Sequence, residues 1–396
     1  MCSNMLKRIL SLDLPKGQTV FLWGARKTGK STFLEQNFPG SLVIDFLNHD
    51  DFLLYGKNPS YLRKYLETQP KEVLEKPIII DEVQKVPAIL DEVHWIIENM
   101  KGVHFILCGS SLRRLKHSGA NLLGGRAWNQ LFFPLCYPEL EQFDLLKILN
   151  HGLIPSHYLS KIHPHKSLKG YIINYLIPEV QWESRTRNMA SFTRFLEAIA
   201  FSNGQMLNYT NIARECAVNV KTVQAYVDIL VDMLLAYKID PYVRAQKRQV
   251  ITSTPKFYFF DTGVIQELAG RTFSALKGPE AGHVLEQYIF LELYAYKELM
   301  DKNFNITYWR TKNGLEVDFI LGRGDVALEV KLSSHVGKSD IKGLLEFSKE
   351  NHPAYAAVVC LEPRPRALTV DGVTVQIVPV EDFLKNLWQG KILHGL

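Results

Sequence analysis

Short apolar runs punctuate the first third of the chain: "TVFLW" at 19–23, "SLVIDF" at 41–46, "KPIIIDE" at 76–82 and "VHFILCGSS" at 103–111. Longer polar–apolar segments separate them, and that alternation predicts a parallel α/β sheet covered by helices. From "EQFDLL" to "IPEV" the pattern is helical and irregular, and from about Asn188 to Asp240 it is strongly helical. A β-rich patch, "RQVITSTPKFYFFDTG", follows, then a long helix from about Gly282 to Met300. The remainder alternates strands and helices, with no internal repeat and no low-complexity tract. The expected division is therefore an α/β domain over 1–165, a helical region over 166–275 and a second α/β domain over 276–396.

Within the helical middle, "LNYTNIARECAVNVKTVQAYVDILVDMLLAYKI" has a helix-turn-helix pattern. Asn208 is placed to cap a helix ending at Cys216, Ala217 and Val218 to form the turn, and Asn219 to cap the second helix. On that second helix Val220, Val223, Val227, Leu230 and Leu234 make the apolar stripe, leaving Lys221, Thr222, Gln224 and Asp228 outward. Downstream, "KIDPYVRAQKRQVITSTPKFYFF" reads as a hairpin wing carrying Arg244, Lys247, Arg248 and Lys256. A recognition-type helix beside a basic wing suits DNA, with the wing on phosphates. Asp228 and Asp232 dilute the positive face, so the same motif equally suits an interdomain packing role.

In "NGLEVDFILGRGDVALEVKLS" the strand period places Glu316, Asp318 and Ile320 on one face and Val317, Phe319 and Leu321 on the other. Glu329 and Lys331 share a face, opposite Leu328, Val330 and Leu332. A turn at Arg323-Gly324 and a loop from Gly322 to Asp325 give one register, with Leu321 against Val326. Asp318 then faces Glu329, and Glu316 faces Lys331. Two opposed carboxylates repel, and a divalent cation between them removes the penalty; Lys331 would steady a nucleophilic water or a charged transition state.

The chemistry of the N-terminal part is more specific. "VFLWGARKTGKSTFLEQ" holds Gly24-x-x-x-x-Gly29-Lys30-Ser31 between an apolar strand and a helix, the setting of a phosphate-binding loop. Gly24, Ala25, Arg26, Lys27, Thr28, Gly29, Lys30, Ser31 and Thr32 are expected to wrap a triphosphate. In that arrangement Lys30 reaches the β- and γ-phosphates, the Ser31 hydroxyl ligates Mg²⁺ and the helix N-terminus faces the anion. "KPIIIDEVQ" supplies the partner strand, with Asp81 for the magnesium and Glu82 to polarise the attacking water. At the end of "VHFILCGSS", Ser110 and Ser111 suit either a γ-phosphate sensor or a capping turn. Arg126 in "LLGGRAWNQLFFPL" is the expected charge stabiliser, with Arg113 and Arg114 competing for the role.

Composition changes little. The 396 residues exceed one typical core, and 46% hydrophobic with 22% charged residues is ordinary for a globular chain. A net charge of +5 does not by itself imply nucleic acid. Five dispersed cysteines lack zinc spacing and fit reduced thiols. His151, His157, His163 and His165 lack the i, i+4 spacing of a helical ligand pair and read as solvated loop residues. With no apolar run long enough to span a bilayer and no h-region at the N-terminus, the expectation is a cytoplasmic protein without a membrane partner.

The constellation Asp318…Glu329-x-Lys331 resembles that of the restriction-endonuclease-like nucleases, which also carry a glutamate on the preceding helix; Glu286 in "GHVLEQYIFLEL" stands at the matching point. Nearly end to end, the order of motifs resembles a prokaryotic family of AAA+-like P-loop ATPases with a C-terminal domain of unknown function. The stretches that carry it are "GARKTGKST", "PIIIDEVQ", "FILCGSS", "GGRAWNQLFFPL", "HGLIP", "FYFFDTG", "YWRTKNGLEVDFIL" and "LEVKLS". The resemblance implies a P-loop NTPase sheet, then a winged helix, then a restriction-endonuclease-like fold. It implies Lys30, Ser31, Asp81 and Glu82 as ATP-site residues, with Glu286, Asp318, Glu329 and Lys331 forming a nuclease site that takes Mg²⁺ or Mn²⁺. A nucleotide-controlled switch acting on DNA, or an inactive nuclease-like scaffold for a protein partner, would both fit. No second sensor arginine on a helical lid is evident, which leaves ring assembly and oligomeric state open.

Overall fold

Five strands form the N-terminal sheet: β1 (Thr19–Trp23), β2 (Val43–Asp45), β3 (Ile78–Asp81), β4 (Phe105–Gly109) and β5 (Ala127–Leu131). All neighbours are parallel, in the order β2-β3-β4-β1-β5. The computed structural model describes residues 6–15, 17–111, 113, 115, 123–160, 163–184, 189–243 and 254–393. It resolves into two units, Met1–Pro134 with Asp232–Leu234, and Leu135–Val231 with Leu235–Leu396.

Parallel strands need crossovers, and the crossovers cover both faces, so the strands must be apolar throughout. Accordingly every residue of β1 and β4 is buried. Alternate residues of successive strands meet on one face: Phe21, Trp23, Ile78, Ile80, Phe105 and Leu107 belong to one cluster, which also takes in Val93 and Ile96 of the helix Ile89–Asn99. The edge strand β5 is half exposed and carries the polar sequence "AWNQL", so no apolar run announces it.

The second unit has two sheets. β6 (Gln205–Met206), β7 (Ala236–Ile239) and β8 (Lys256–Phe259) form an antiparallel sheet in the order β6-β8-β7. Six further strands are β9 (Ile306–Arg310), β10 (Glu316–Leu321), β11 (Val326–Val330), β12 (Tyr355–Cys360), β13 (Arg366–Val370) and β14 (Val373–Pro379). They lie in the order β13-β14-β12-β11-β10-β9, parallel through β11-β12-β14 and antiparallel at either end.

The hairpin has the expected register, with Leu321 opposite Val326 and Phe319 opposite Leu328. Strict alternation along β10 fails, however. The pairing of β10 with β9 shifts by one residue between Val317 and Ile320, and such a bulge re-aims the side chains it contains. Val317 and Ile320 consequently share one core cluster, while Phe319 stacks against Phe290 at 6.3 Å and lies 6.1 Å from Tyr258. The expected grouping of Val317 with Phe319 is thus corrected.

In the helical middle, Asn208 caps Tyr209–Cys216 by accepting from Asn211 N–H, Ala217 turns the chain at φ 54°, and Asn219 Oδ1 accepts from Thr222 N–H ahead of Val220–Asp232. Val223, Val227 and Leu230 of the expected stripe are buried, joined by Tyr226 and Ile229. Lys221, Gln224 and Asp228 are exposed. Arg244, Lys247 and Arg248 lie outside the described residues, as does Arg114.

The expectation of solvated loop histidines holds only in part: His163 and His165 are exposed. His151 and His165 sit on the helices Leu145–His151 and Pro164–Tyr171. His157 is buried, its ring 5.6 Å from that of Tyr171. Among the described residues no helix is long and apolar enough to cross a membrane.

Two buried carboxylates fasten the second unit. Asp261 accepts from the N–H groups of Leu153 at 2.6 Å, Ile154 at 3.2 Å and Val264 at 3.0 Å. The chain can approach so closely because residue 263 is glycine: a Cβ there would lie 2.3 Å from the carbonyl of His151. Glu292 accepts from Tyr137 N–H at 2.9 Å and the Trp388 indole at 2.7 Å. Burial pushes its carboxyl up to about 8, against the pull of those donors. A raised carboxyl pKa means the folded state binds the proton more tightly. Glu292 therefore contributes stability fully below its unfolded value near 4.5, and that stability is lost as pH rises through about 8. The expected slope is at most about 1.4 kcal/mol per pH unit. Denaturant midpoints between pH 5 and 8.5 should fall less steeply for Glu292→Gln than for wild type; equal slopes would refute the assignment.

Candidate nucleotide site and carboxylate cradle

The loop between β1 and the helix Lys30–Asn37 closes tightly on its own backbone. A Cβ on Gly24 would lie 2.3 Å from the Phe132 carbonyl, so only glycine lets the loop leave β1 here. Gly29, at φ 99°, is the left-handed residue that turns into the helix. Thr28 Oγ1 donates to the Ala25 carbonyl at 2.8 Å and braces the loop from inside. Lys27 adopts φ 63° and is exposed, as is Thr32 on the helix.

Lys30 is buried, its ammonium donating to the carbonyls of Gly24 at 2.6 Å and Ala25 at 3.1 Å. The loop thus holds its own cation against its own oxygens, in the place from which a phosphate would draw it. The Ser31 hydroxyl donates to Asp81 Oδ2 at 2.9 Å. Two hard oxygen donors side by side, one anionic, fit Mg²⁺, and the pair joins residues fifty positions apart in sequence.

Glu82 follows β3 and is buried, at a left-handed φ of 55°, a strained backbone for a glutamate. Its Oε2 accepts from Gln84 Nε2 at 2.6 Å, Arg26 at 3.2 Å and the Ser110 hydroxyl at 3.3 Å. Gln84 also donates to Ser110 Oγ at 3.0 Å. Ser110 therefore joins the acidic centre directly, whereas Ser111 accepts from Arg113 N–H in a local turn. Gln84 was not a sequence candidate; its place two residues beyond a glutamate at positive φ is the signal that points to it. Arg126 is exposed and ion-pairs Glu98, and Arg113 pairs with Asp232 at 3.3 Å, so neither is among the groups that hold Glu82.

The second unit gathers a different set of acids. Glu286, on the helix Pro279–Leu299, accepts from the Tyr258 hydroxyl at 2.6 Å. Asp318 Oδ2 accepts from Val330 N–H at 2.9 Å, and Glu329 Oε1 from Lys331 at 2.6 Å. Arg310, opposite Glu316 on β9, pairs with it at 3.0 Å. At the centre stands Lys256, from β8. Its ammonium lies 2.9 Å from Glu286, 2.5 Å from Glu316 and 3.2 Å from Asp318.

Lys256 is only 2% exposed, which corrects its expected place among the phosphate-contacting residues of a basic wing. A buried lysine is tolerated when paired, and the carboxylates pair it. Burial pulls its pKa down, but the charges of Glu286, Tyr258, Asp318 and Glu316 hold it well above the usual lysine value. Burial and the Asp318 charge push Glu286 up to about 7 and raise Glu329 well above the carboxylate range. Lys256, Glu286, Glu316, Asp318 and Glu329 line an open cavity of about 700 Å³ that also reaches Gly204 and His283. Among the described residues no group of three or more His, Cys, Asp or Glu side chains is arranged to hold a metal ion.

Comparison with known proteins finds three family matches along the chain. Residues 16–141 match an AAA domain family, 142–275 a domain of unknown function (DUF8612) and 281–383 another domain of unknown function (DUF4143). The first match supports a P-loop ATPase-like N-terminal region. Two uncharacterized proteins, from Mycobacterium bovis and Mycobacterium tuberculosis, are each 28% identical over 152 residues, 38% of this chain and 33% of theirs. The chain thus aligns with about a third of the length of these relatives. Among solved structures it is similar to a Signal Transduction ATPase with Numerous Domains protein with a tetratricopeptide repeat sensor, from Pyrococcus horikoshii. That match has 12% identity and a TM-score of 0.20, covering 72% of this chain and 45% of the other.

Proposed function

We propose that this chain binds and hydrolyses ATP with Mg²⁺, and that nucleotide state switches a DNA-binding, nuclease-like C-terminal module. The observation that carries the ATPase reading is one constellation: Lys30 in its glycine-bounded loop, Ser31 beside Asp81, and Glu82 held ready at the end of β3. Residues 24–32 bind the phosphates, Lys30 moving from its carbonyl partners to phosphate oxygens. Ser31 and Asp81 are the holders of the metal, which when bound supplies charge neutralisation between the phosphates. Glu82 orients and polarises water, and Ser110, bonded to it, senses the γ-phosphate. Arg126 stabilises charge only after leaving Glu98. In this reading residues 1–165, 166–275 and 276–396 are the ATPase, winged-helix and nuclease-like parts. Calorimetric titration of the full chain with ATP, beside phosphate release with and without Mg²⁺, tests it; no binding and no release would overturn it.

Lys256 favours a second reading for the C-terminal module. With an ammonium among Glu286, Glu316 and Asp318, the module binds its partner without cutting, as an inactive nuclease-like scaffold. DNA and protein partners are separated by salt: phosphate contacts impose a steep fall of affinity with ionic strength. A DNA affinity that is flat between low and moderate salt would exclude the winged helix as a phosphate reader.

A further inference from the structure

A divalent cation in the carboxylate cradle would need the oxygens that Lys256 already holds. Mg²⁺ and Mn²⁺ draw their oxygen ligands to about 2.0–2.2 Å and keep several waters. The ammonium sits 2.5–3.2 Å from Glu316, Glu286 and Asp318, so it fills the volume in which such an ion would lie. The lysine is anchored from another sheet: β8 is paired on both sides, to β6 and β7, and Lys256 itself is buried. The cradle nevertheless keeps one acceptor in reserve. Glu329 is 6% exposed, and among the described residues its Oε2 has no hydrogen-bond partner. A buried carboxylate oxygen lining the cavity without a donor is a place for a cation ligand.

We infer that Lys256 is a resident counter-ion that occupies the cation position among Glu286, Glu316 and Asp318, beside the reserve oxygen of Glu329, and excludes divalent metals from it. The ammonium does electrostatically what the metal would do, neutralising opposed carboxylates, but brings no Lewis acidity and no bound water. Removing its charge should turn the cradle into a metal site. The inference holds whether or not the chain hydrolyses ATP, and the test is built to keep the two apart.

Mn²⁺ binding, read by the paramagnetic resonance of the free ion and by calorimetry, is measured in full-length protein on a Lys30→Ala background without nucleotide; because Ser31 and Asp81 remain, a site counts as the cradle's only when Asp318→Asn removes it. The Lys30→Ala protein should show no Mn²⁺ site that Asp318→Asn removes. Adding Lys256→Met, which keeps the stem and drops the charge, should create one such site, at least about tenfold tighter than anything seen before it. A cradle site of equal affinity with Lys256 in place would overturn the inference, as would a folded Lys256→Met protein that binds no Mn²⁺. Should Lys256→Met fail to fold, the comparison of Lys30→Ala with and without Asp318→Asn decides alone: cradle-bound Mn²⁺ refutes, its absence supports.

Discussion

Glu82→Gln is expected to bind ATP as wild type does and to turn it over about 10²–10⁴-fold more slowly, the range lost with a general base. The residue is held by Gln84, Arg26 and Ser110 through one oxygen, Oε2, and glutamine keeps an acceptor for those donors. What it loses is the charge that polarises water. Lys30→Ala is expected to fail earlier. Without the ammonium, the loop has no group to exchange from the Gly24 and Ala25 carbonyls to phosphate, so both binding and turnover should go. Calorimetry for affinity and phosphate release for turnover separate the two variants. Wild-type turnover in either would remove the residue from the site. Loss of binding in Glu82→Gln would mean that the glutamate shapes the pocket and takes no part in the hydrolytic step.

Asp261→Ala is expected to cost about 3–5 kcal/mol of unfolding free energy, because buried donors that lose their acceptor are expensive. The carboxylate serves N–H groups from two separate segments, Leu153 and Ile154 on one side and Val264 on the other. Burial raises its pKa to about 6 in spite of those bonds, so the carboxylate is kept at an electrostatic cost and replaced badly by a methyl. Asp261→Asn, which leaves one acceptor oxygen, should lose less. Denaturant unfolding with unchanged slope measures both; a loss below about 1 kcal/mol in the alanine variant would show that water or relaxation satisfies the donors.

Much of the N-terminal sheet was legible because parallel strands buried on both faces are written as apolar runs, such as "VFLW" at 20–23 and "III" at 78–80. The phosphate loop was legible for a related reason: its glycines answer to backbone approach and positive φ, which are local demands. Hairpin register followed from turn length. What stayed hidden is what periodicity does not encode. Lys256 looked like one more basic residue of a wing, since nothing within a few residues of it shows that Glu286, 30 positions on, and Asp318, 62 positions on, will surround it. The bulge in β10 falls where the alternation of "EVD" gives way to the apolar run "FIL", and such a run does not say which residue changes face. Gln84 and the edge strand β5 carry polar residues at structured positions, so the pattern passed over them.

The buried lysine also bears on how the second half of the chain comes apart. Lys256 belongs to the stretch matched by one family and its carboxylate partners to the stretch matched by the next, on either side of the gap between residues 275 and 281. Cutting there would part the Lys256 ammonium from Glu286 and Asp318, and a buried ion left without its partner costs several kcal/mol. The borders of sequence likeness and the borders of cooperative unfolding are therefore expected not to coincide. Residues on both sides of that gap should exchange their amide hydrogens as one block.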